Sequence, residues 1–104
     1  MVETVEELGL PDLTIKQIEE ICSLVEETAR RHVLSKIASK RVETLNISVE
    51  AEGTNPVILT VDIDVALSPL MKGFDVQKLV NEAITKAFES AETYLRKLKC
   101  HSRK

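Results

Sequence analysis

The first strong pattern along the chain predicts an amphipathic helix that begins after Thr14. Between Ile15 and Ile37, apolar residues recur at every third or fourth position, and the positions between them are mostly Glu, Lys or Arg. This spacing is typical of a helix with one buried face. Thr14 and Gln17 have the spacing of a capping box, in which each side chain bonds the backbone amide of the other residue. The pattern therefore predicts a helix of about 25 residues, roughly 37 Å long.

Two alternating runs follow and predict a β-hairpin. Residues 44–52 and residues 57–67 each alternate along the chain, with aliphatic side chains on one face. A period of two residues is typical of a strand that is buried on one side. The segment from Gly53 to Pro56 supplies the turn, and so short a connection joins antiparallel strands.

A second amphipathic helix is predicted near the C-terminus. Ser68 and Pro69 end the second strand, and Asp75 is placed to cap the helix that follows. Phe74 and Leu79 have the spacing of a hydrophobic staple across this cap. Apolar residues then recur with helical spacing to the end of the predicted helix.

These elements predict an α+β fold in which two long amphipathic helices cover one face of an antiparallel hairpin, in the order helix, strand, strand, helix. The chain has 104 residues, which fits one domain. We expect an acidic N-terminal lead-in over residues 1–13, a single α+β domain over residues 14–99 and a basic tail over residues 100–104. The predicted core consists of Leu45, Ile47, Val49, Leu59, Val61, Ile63 and Val65, packed against Ile18, Val25, Ala83, Ala87 and Ala91.

A sheet of only two strands predicts association with another chain. Such a sheet is marginally stable alone, and its unpaired edges invite a further strand. The second strand also keeps apolar residues on its outer face, so we expect its edge to pair with a second copy or with a different protein and to extend the sheet. The alternative is a monomer whose helices shield the hairpin. The expected partner-binding residues are Ile58, Thr60, Asp62, Asp64 and Ala66.

The charge distribution offers a weaker case for nucleic acid. The net charge is −3, and Phe74, Phe88 and Tyr94 are the only aromatic residues, which argues against a module that stacks on bases. Residues 28–41 and 94–104 are basic, and antiparallel helices would place these segments at opposite ends of one chain. Their side chains either pair with acidic residues of the chain itself or contact RNA weakly. The candidate RNA contacts are Arg30, Arg31, Lys40, Arg41, Arg96 and Lys97.

Candidate catalytic and metal-binding residues are few. Asp62 and Asp64 point to the same side of the second strand, and Glu50 or Glu52 across the hairpin could join them in holding a metal ion or transferring a proton. This face is the solvent side of an ordinary hairpin, however, and proton transfer needs a carboxyl group in a desolvated pocket. No residues of the sequence have the spacing of a zinc site, and none have that of a nucleophile with its base. We therefore predict no enzyme activity, no catalytic residue, no metal site and no cofactor.

The cysteines and the N-terminus predict a cytoplasmic protein that does not bind membranes. Cys22 and Cys100 lie far apart, and one such pair is little evidence for a disulfide framework. Cys22 and His32 both fall near the apolar side of the first helix and are interpreted as packing residues. Residues 1–10 lack the basic start and apolar run of a signal peptide, and no stretch has the length and hydropathy of a membrane span.

Parts of the second half resemble a known family. The stretches ISVEAEG (residues 47–53), LTVDIDV (59–65), FDVQKLV (74–80) and AFESAETYLR (87–96) resemble a small archaeal family of unknown function. Members look like helix–strand–strand–helix proteins and are often encoded beside the prefoldin beta subunit. The resemblance covers most of residues 14–99 in the order of elements, with the residue-level likeness in the last helix, and it implies the fold predicted above.

The same half is similar, more distantly, to the small dimerisation subunits of the KEOPS complex, which makes the threonylcarbamoyl modification of adenosine in tRNA. Those subunits are non-catalytic and pair through sheet edges to scaffold the larger enzyme subunits. The resemblance implies a non-catalytic interaction subunit, an accessory small subunit of a KEOPS-like assembly, with an RNA-binding module as the alternative. The small KEOPS subunits have a strand before the first helix, whereas residues 1–13 predict none.

Overall fold

The computed structural model describes residues 2–11, 13–53 and 56–101, with the backbone alone for residues 2 and 99–101. The predicted α+β class and the order helix, strand, strand, helix are confirmed, and a further strand precedes them. Two short 3-10 turns, Ser39–Arg41 and Pro69–Met71, flank the hairpin. The main elements are β1 (Val2–Leu10), α1 (Ile15–Lys36), β2 (Val42–Glu52), β3 (Val57–Leu67) and α2 (Val76–His101).

A strand occupies most of the predicted N-terminal lead-in. Residues 2–10 run antiparallel to β3, from the pair Val2 and Val65 to the pair Leu10 and Val57. The expectation that no strand precedes the first helix is therefore wrong. It fails because Glu, of which β1 holds three, has a low preference for strands, whereas the long-range contact with β3 overrides that preference.

β3 is the central strand of a three-stranded sheet with the order β1-β3-β2. Asp62, for example, lies opposite Val5 of β1 and opposite Ser48 of β2. The predicted free edge of this strand is wrong, because β1 occupies it. The free edges belong to β1 and β2. The residues expected at the edge lie instead on one face of the central strand: Ile58, Thr60, Asp62, Asp64 and Ala66.

Both helices pack on one face of the sheet, with α1 over β2 and α2 over β1. Alternate residues of β3 from Val57 to Val65 are buried, and the residues between them are half-buried, so Asp62 faces away from the helices as predicted. Leu45 and Val49 are only half-buried, because β2 is an edge strand with no neighbour on one side. Of the predicted core, Ile18 is half-buried. The buried members are Val25, Ile47, Leu59, Val61, Ile63, Val65, Ala83, Ala87 and Ala91.

The predicted helix caps are present. The Thr14 amide donates to Gln17 Oε1 (2.9 Å) and the Gln17 amide donates to Thr14 Oγ1 (3.1 Å), which completes the capping box at the start of α1. At the start of α2, Asp75 Oδ1 accepts a hydrogen bond from the Lys78 amide at 3.0 Å. Both helices therefore begin where local side chains satisfy their first free amides.

The two helices lie side by side and antiparallel. The Tyr94 hydroxyl, near the end of α2, donates to Glu20, near the start of α1. His32 Nε2, near the end of α1, lies 3.6 Å from Glu82 Oε1 in the first half of α2. Within the described residues, neither helix has a stretch long and apolar enough to span a membrane.

Candidate functional site

The face of the sheet without helices is acidic. Residues opposite one another on neighbouring strands share a face, so Asp62, Asp64 and the other half-buried residues of β3 share this side with their partners on β1 and β2. The sequence has no Lys or Arg in residues 1–10 or in residues 42–67. We call this surface the open face; its carboxylates belong to Glu3, Glu7, Glu50, Glu52, Asp62 and Asp64.

Three of these carboxylates meet on the open face. Glu3 lies opposite Asp64, and Asp62 is the next residue on the same side of β3. One carboxylate oxygen from each lies within 4.8 Å of the other two. The negative charge of Asp62, followed by that of Asp64, by desolvation and by a side-chain hydrogen bond with Asp62, raises the pKa of Glu3 above its usual value. Asp62 Oδ1 is buried and has no hydrogen-bond partner within the described part of the chain.

The oxygen atoms of this group are of the type that hard divalent cations prefer. Asn46 lies opposite Asp64 on β2, and Ser48 lies opposite Asp62, so each adds an oxygen atom to the neighbourhood. Among the described residues, Glu3, Asp62 and Asp64 form the group whose geometry could hold a metal ion. The sequence pattern indicates the two aspartates but not Glu3, because it predicts no β1.

The free edge of β2 differs from that of β1. β2 is eleven residues long and contains neither Gly nor Pro, whereas β1 is nine residues long and contains Gly9. On the helix side of β2, Leu45, Val49 and Ala51 are half-buried. β1 exposes the side chains of its three Glu residues instead. The β2 edge is therefore the longer and more apolar of the two.

Basic side chains converge where α1 ends and α2 begins. The two 3-10 turns lie side by side there, because the Ser68 amide donates to the Arg41 carbonyl oxygen at 2.8 Å. A cleft of about 700 Å³ between the helices is lined at this end by Lys36, Lys78 and Asp75. Leu70, in the second 3-10 turn, is 75% exposed. We call this surface the basic end; its cations belong to Lys36, Lys40, Arg41, Lys72 and Lys78.

A family match covers most of the chain. The family described as a protein of unknown function, DUF3194, matches residues 10–94, which include α1, β2, β3 and most of α2. The chain belongs to the DUF3194 family. The resemblance to an archaeal family of unknown function is thereby confirmed.

Chains similar to this DUF3194 protein come from archaea. An uncharacterised protein of Thermococcus kodakarensis is 32% identical over 92 residues, which cover 88% of this chain and 83% of that protein. One of Pyrococcus horikoshii is 28% identical over 91 residues, covering 88% and 78%. A crystal structure from Thermococcus onnurineus superposes with a TM-score of 0.84 at 26% identity and covers 96% of each chain. The solution structure of a hypothetical protein from Methanothermobacter thermautotrophicus has a TM-score of 0.71 at 24% identity, covers 93% of this chain and 100% of its own, and shares the fold.

Two of the predicted RNA contacts of the DUF3194 chain have acidic neighbours on their own helix. Arg30 lies 3.5 Å from Glu26, and Arg31 pairs with Glu27, in each case one turn earlier along α1. All four side chains are exposed enough for water to weaken these pairs. The arrangement is that of a solvated helix surface.

The other predicted RNA contacts lie at two ends of the DUF3194 fold. Lys40 and Arg41 belong to the basic end. Arg96 and Lys97 are exposed near the end of α2, one turn beyond the contact between Tyr94 and α1. Because the helices are antiparallel, these two pairs of cations do not converge within one chain.

The Cys22 thiol and the His32 imidazole of the DUF3194 chain are placed for packing. Cys22 is half-buried in α1, and desolvation, followed by the charge of Glu19, raises the pKa of its thiol, so the thiolate is disfavoured. His32 Nε2 is buried and makes no hydrogen bond within the described part of the chain, although Glu82 lies beside it. The side chains of the predicted basic tail, residues 100–104, lie outside the described residues.

Proposed function

We propose that the chain is a non-catalytic interaction subunit of the cytoplasm that binds a protein partner through the free edge of β2. The observation that carries the proposal is the half-burial of Leu45, Val49 and Ala51, which keep part of their apolar surface in solvent beside unpaired backbone groups. A strand added at this edge would bury that surface and pair those groups.

The presence of β1 supports the resemblance to the small KEOPS subunits. Those subunits have a strand before the first helix, and this chain has β1 in that place. The expected difference between the two folds therefore disappears. On this analogy of fold, the proposed role is that of an accessory small subunit in a KEOPS-like assembly that modifies tRNA.

The geometry of β2 favours a second copy as the partner. A two-fold axis near Ile47 would place Leu45 of one chain beside Val49 of the other. The same register would place Glu50 beside Thr44 and not directly opposite another carboxylate. Two three-stranded sheets would then form one continuous sheet with all helices on one face. β1 would form its outer edges, where exposed Glu side chains oppose further pairing.

Proline substitution at adjacent positions of β2 tests this edge. Successive amides along a strand point to opposite edges. Of Ser48→Pro and Val49→Pro, one therefore removes a donor at the free edge and the other breaks the ladder to β3. We expect the unmodified chain to sediment as a dimer at about 100 μM, one proline variant to be a folded monomer, and the other to lose thermal stability.

Two results would contradict the edge proposal. The first is an unmodified chain that sediments as a monomer and binds no protein through the β2 edge. Binding through that edge would be recognised by its loss in the free-edge proline variant. The second is a dimer that both proline variants keep. Circular dichroism of each variant separates loss of pairing from loss of the fold.

The basic end favours RNA binding as a second candidate function. Five cations belong to the four segments that meet at this end, whereas Asp75 and Glu82 line the same cleft, and this excess of cations would attract phosphate groups although the net charge of the chain is −3. Phosphate binding weakens steeply as salt rises. The test compares the variant Lys40→Gln with the control Lys16→Gln, which removes one cation from an exposed position near the start of α1. RNA affinity that falls equally in both variants would contradict a site at the basic end.

A further inference from the structure

We propose that the open face is a docking surface for a Lys- and Arg-rich extended segment of a partner protein. This surface is separate from the β2 edge, and the proposal does not depend on dimerisation. The described helices leave the open face uncovered, and the three strands contain none of the 14 Lys and Arg residues of the chain. Its negative charge therefore has no counter-charge within the sheet.

The spacing of the carboxylates fits an extended basic segment. Asp62 and Asp64 are two residues apart on one strand face, and side chains so placed are about 6.6–6.8 Å apart. An extended segment with Lys or Arg at every second position repeats its cations at the same interval. Glu3 adds a third carboxylate within 4.8 Å of this pair. Asp62 Oδ1, which has no hydrogen-bond donor among the described residues, is an acceptor that such a segment could satisfy after a small side-chain rotation.

Apolar positions between the carboxylates fit the aliphatic stems of Lys and Arg. Val5, which lies opposite Asp62, is 50% exposed. Ile58 is half-buried and lies opposite Glu52. At this hairpin end of the face, Glu7 and Glu52 both line a cleft of about 420 Å³ that also includes Ile58. A long basic side chain can place its stem on the apolar surface and its head group between the two carboxylates.

Charge complementarity decides between the occupants of this surface. A second copy packed face to face would bring carboxylates against carboxylates, and a nucleic acid would bring phosphates against them, so both are repelled. A basic protein segment is attracted, and its ordering also relieves the repulsion that raises the pKa of Glu3. A divalent cation at Glu3, Asp62 and Asp64 is the remaining occupant, and the test includes it.

The test measures binding of a synthetic peptide of alternating Lys and Thr, about 12 residues long, to the full chain. The binding variant carries Glu3→Gln, Asp62→Asn and Asp64→Asn. The control variant carries Glu19→Gln, Glu27→Gln and Glu92→Gln, which change the net charge equally on the exposed surfaces of the helices. At about 50 mM salt, where screening is modest, we expect the binding variant to lose affinity about tenfold or more and the control less than about twofold. Amide chemical shifts of the unmodified chain should change on β1 and β3.

Several outcomes would overturn the proposal. They are no binding to the unmodified chain, an equal loss of affinity in both variants, or chemical-shift changes confined to the free edge of β2. A thermal shift with CaCl2 that the binding variant abolishes, without a matching difference for the peptide, would assign the surface to a metal ion instead. Because neutralising these three neighbouring carboxylates removes repulsion, the binding variant should stay folded, and its melting curve verifies this.

Discussion

Glu3 carries a charge that the fold makes unfavourable. The carboxylates of Asp62 and Asp64 raise its pKa in the folded chain above the value in the unfolded chain. The folded chain therefore holds this proton more tightly, and the resulting stabilisation is present at acidic pH and is lost as pH rises through the raised value. We expect Glu3→Gln to raise the melting temperature near neutral pH and to change it little at about pH 4, near the ordinary pKa of Glu.

Calorimetry across this pH range measures the difference for Glu3. Glu92→Gln is the matched control, since it removes one exposed carboxylate from α2 and leaves the open face unchanged. A Glu3→Gln variant whose melting temperature equals that of the unmodified chain near neutral pH would show that the three carboxylates do not interact.

Thr14, unlike the charge of Glu3, stabilises the fold, because its side chain accepts one local hydrogen bond. It accepts from the Gln17 amide at the first turn of α1. Thr14→Ala is expected to lower the free energy of unfolding by about 1 kcal/mol, as for other helix caps. Ser23→Ala, at an exposed position within the same helix, is the control and should leave stability equal or slightly higher. Urea denaturation of both variants measures the difference, and equal midpoints would exclude a stabilising cap.

The elements that the sequence predicts are those with a long and regular pattern. α1 and α2 each repeat apolar residues over several turns, and the hairpin strands alternate without interruption. The pattern of β1 is neither long nor regular. Leu8 and Leu10 share the helix side of the sheet with Thr4 and Glu6, whereas Val5 lies on the open face. So irregular an alternation does not distinguish a strand from an acidic tail, and the partner strand lies about 50 residues away in sequence.

In the candidate site, too, the residues with a regular local pattern are predictable and those that depend on long-range strand pairing are not. Asp62 and Asp64 are predictable on the solvent side of the hairpin, because the alternation within β3 alone sets their orientation. Glu3 and the covered edge of β3 are not predictable, because both depend on a long-range pairing that leaves no local pattern. The free edge of β2 can be inferred only when β1 is known to pair with β3. Sequence periodicity thus determines which face a residue occupies, and the order of strands determines which edge is free.

The central position of β3 predicts the effect of proline there. Each amide of β3 faces either β1 or β2, so Thr60→Pro and Asp62→Pro should each remove a ladder bond, wherever the amide points. We expect each variant to lose at least about 1–3 kcal/mol of stability, the cost of an unsatisfied buried carbonyl. Urea unfolding measures it. Full stability in either variant would mean that the strand has a free edge.

At the scale of the molecule, acidic and basic side chains lie on different surfaces of a long particle, although Asp64 of the open face is only four residues from Ser68 at the basic end. The fold measures 54 × 23 × 19 Å, with carboxylates on the open face and cations at the basic end. The three proposed contacts therefore differ in physical origin. RNA and basic segments would be held by attraction between opposite charges, which salt screens. Pairing at the β2 edge would be held by backbone hydrogen bonds and apolar burial, against repulsion between like-charged chains.

This difference predicts that salt strengthens dimerisation. Each chain has a net charge of −3, and pairing at β2 would make the two acidic open faces continuous, with Glu50 and Glu52 nearest the junction. Screening reduces this repulsion, because charges separated by more than about 10 Å interact little at 0.1 M salt. We expect the dissociation constant of the dimer to fall about threefold or more between 0.05 M and 0.5 M NaCl, as measured by sedimentation equilibrium.

The double variant Glu50→Gln and Glu52→Gln should dimerise more tightly at low salt and respond less to its increase, whereas the control variant Glu19→Gln and Glu92→Gln should respond like the unmodified chain. A dimer that weakens as salt rises would instead be held together by opposite charges, and the β2 edge could not be its interface.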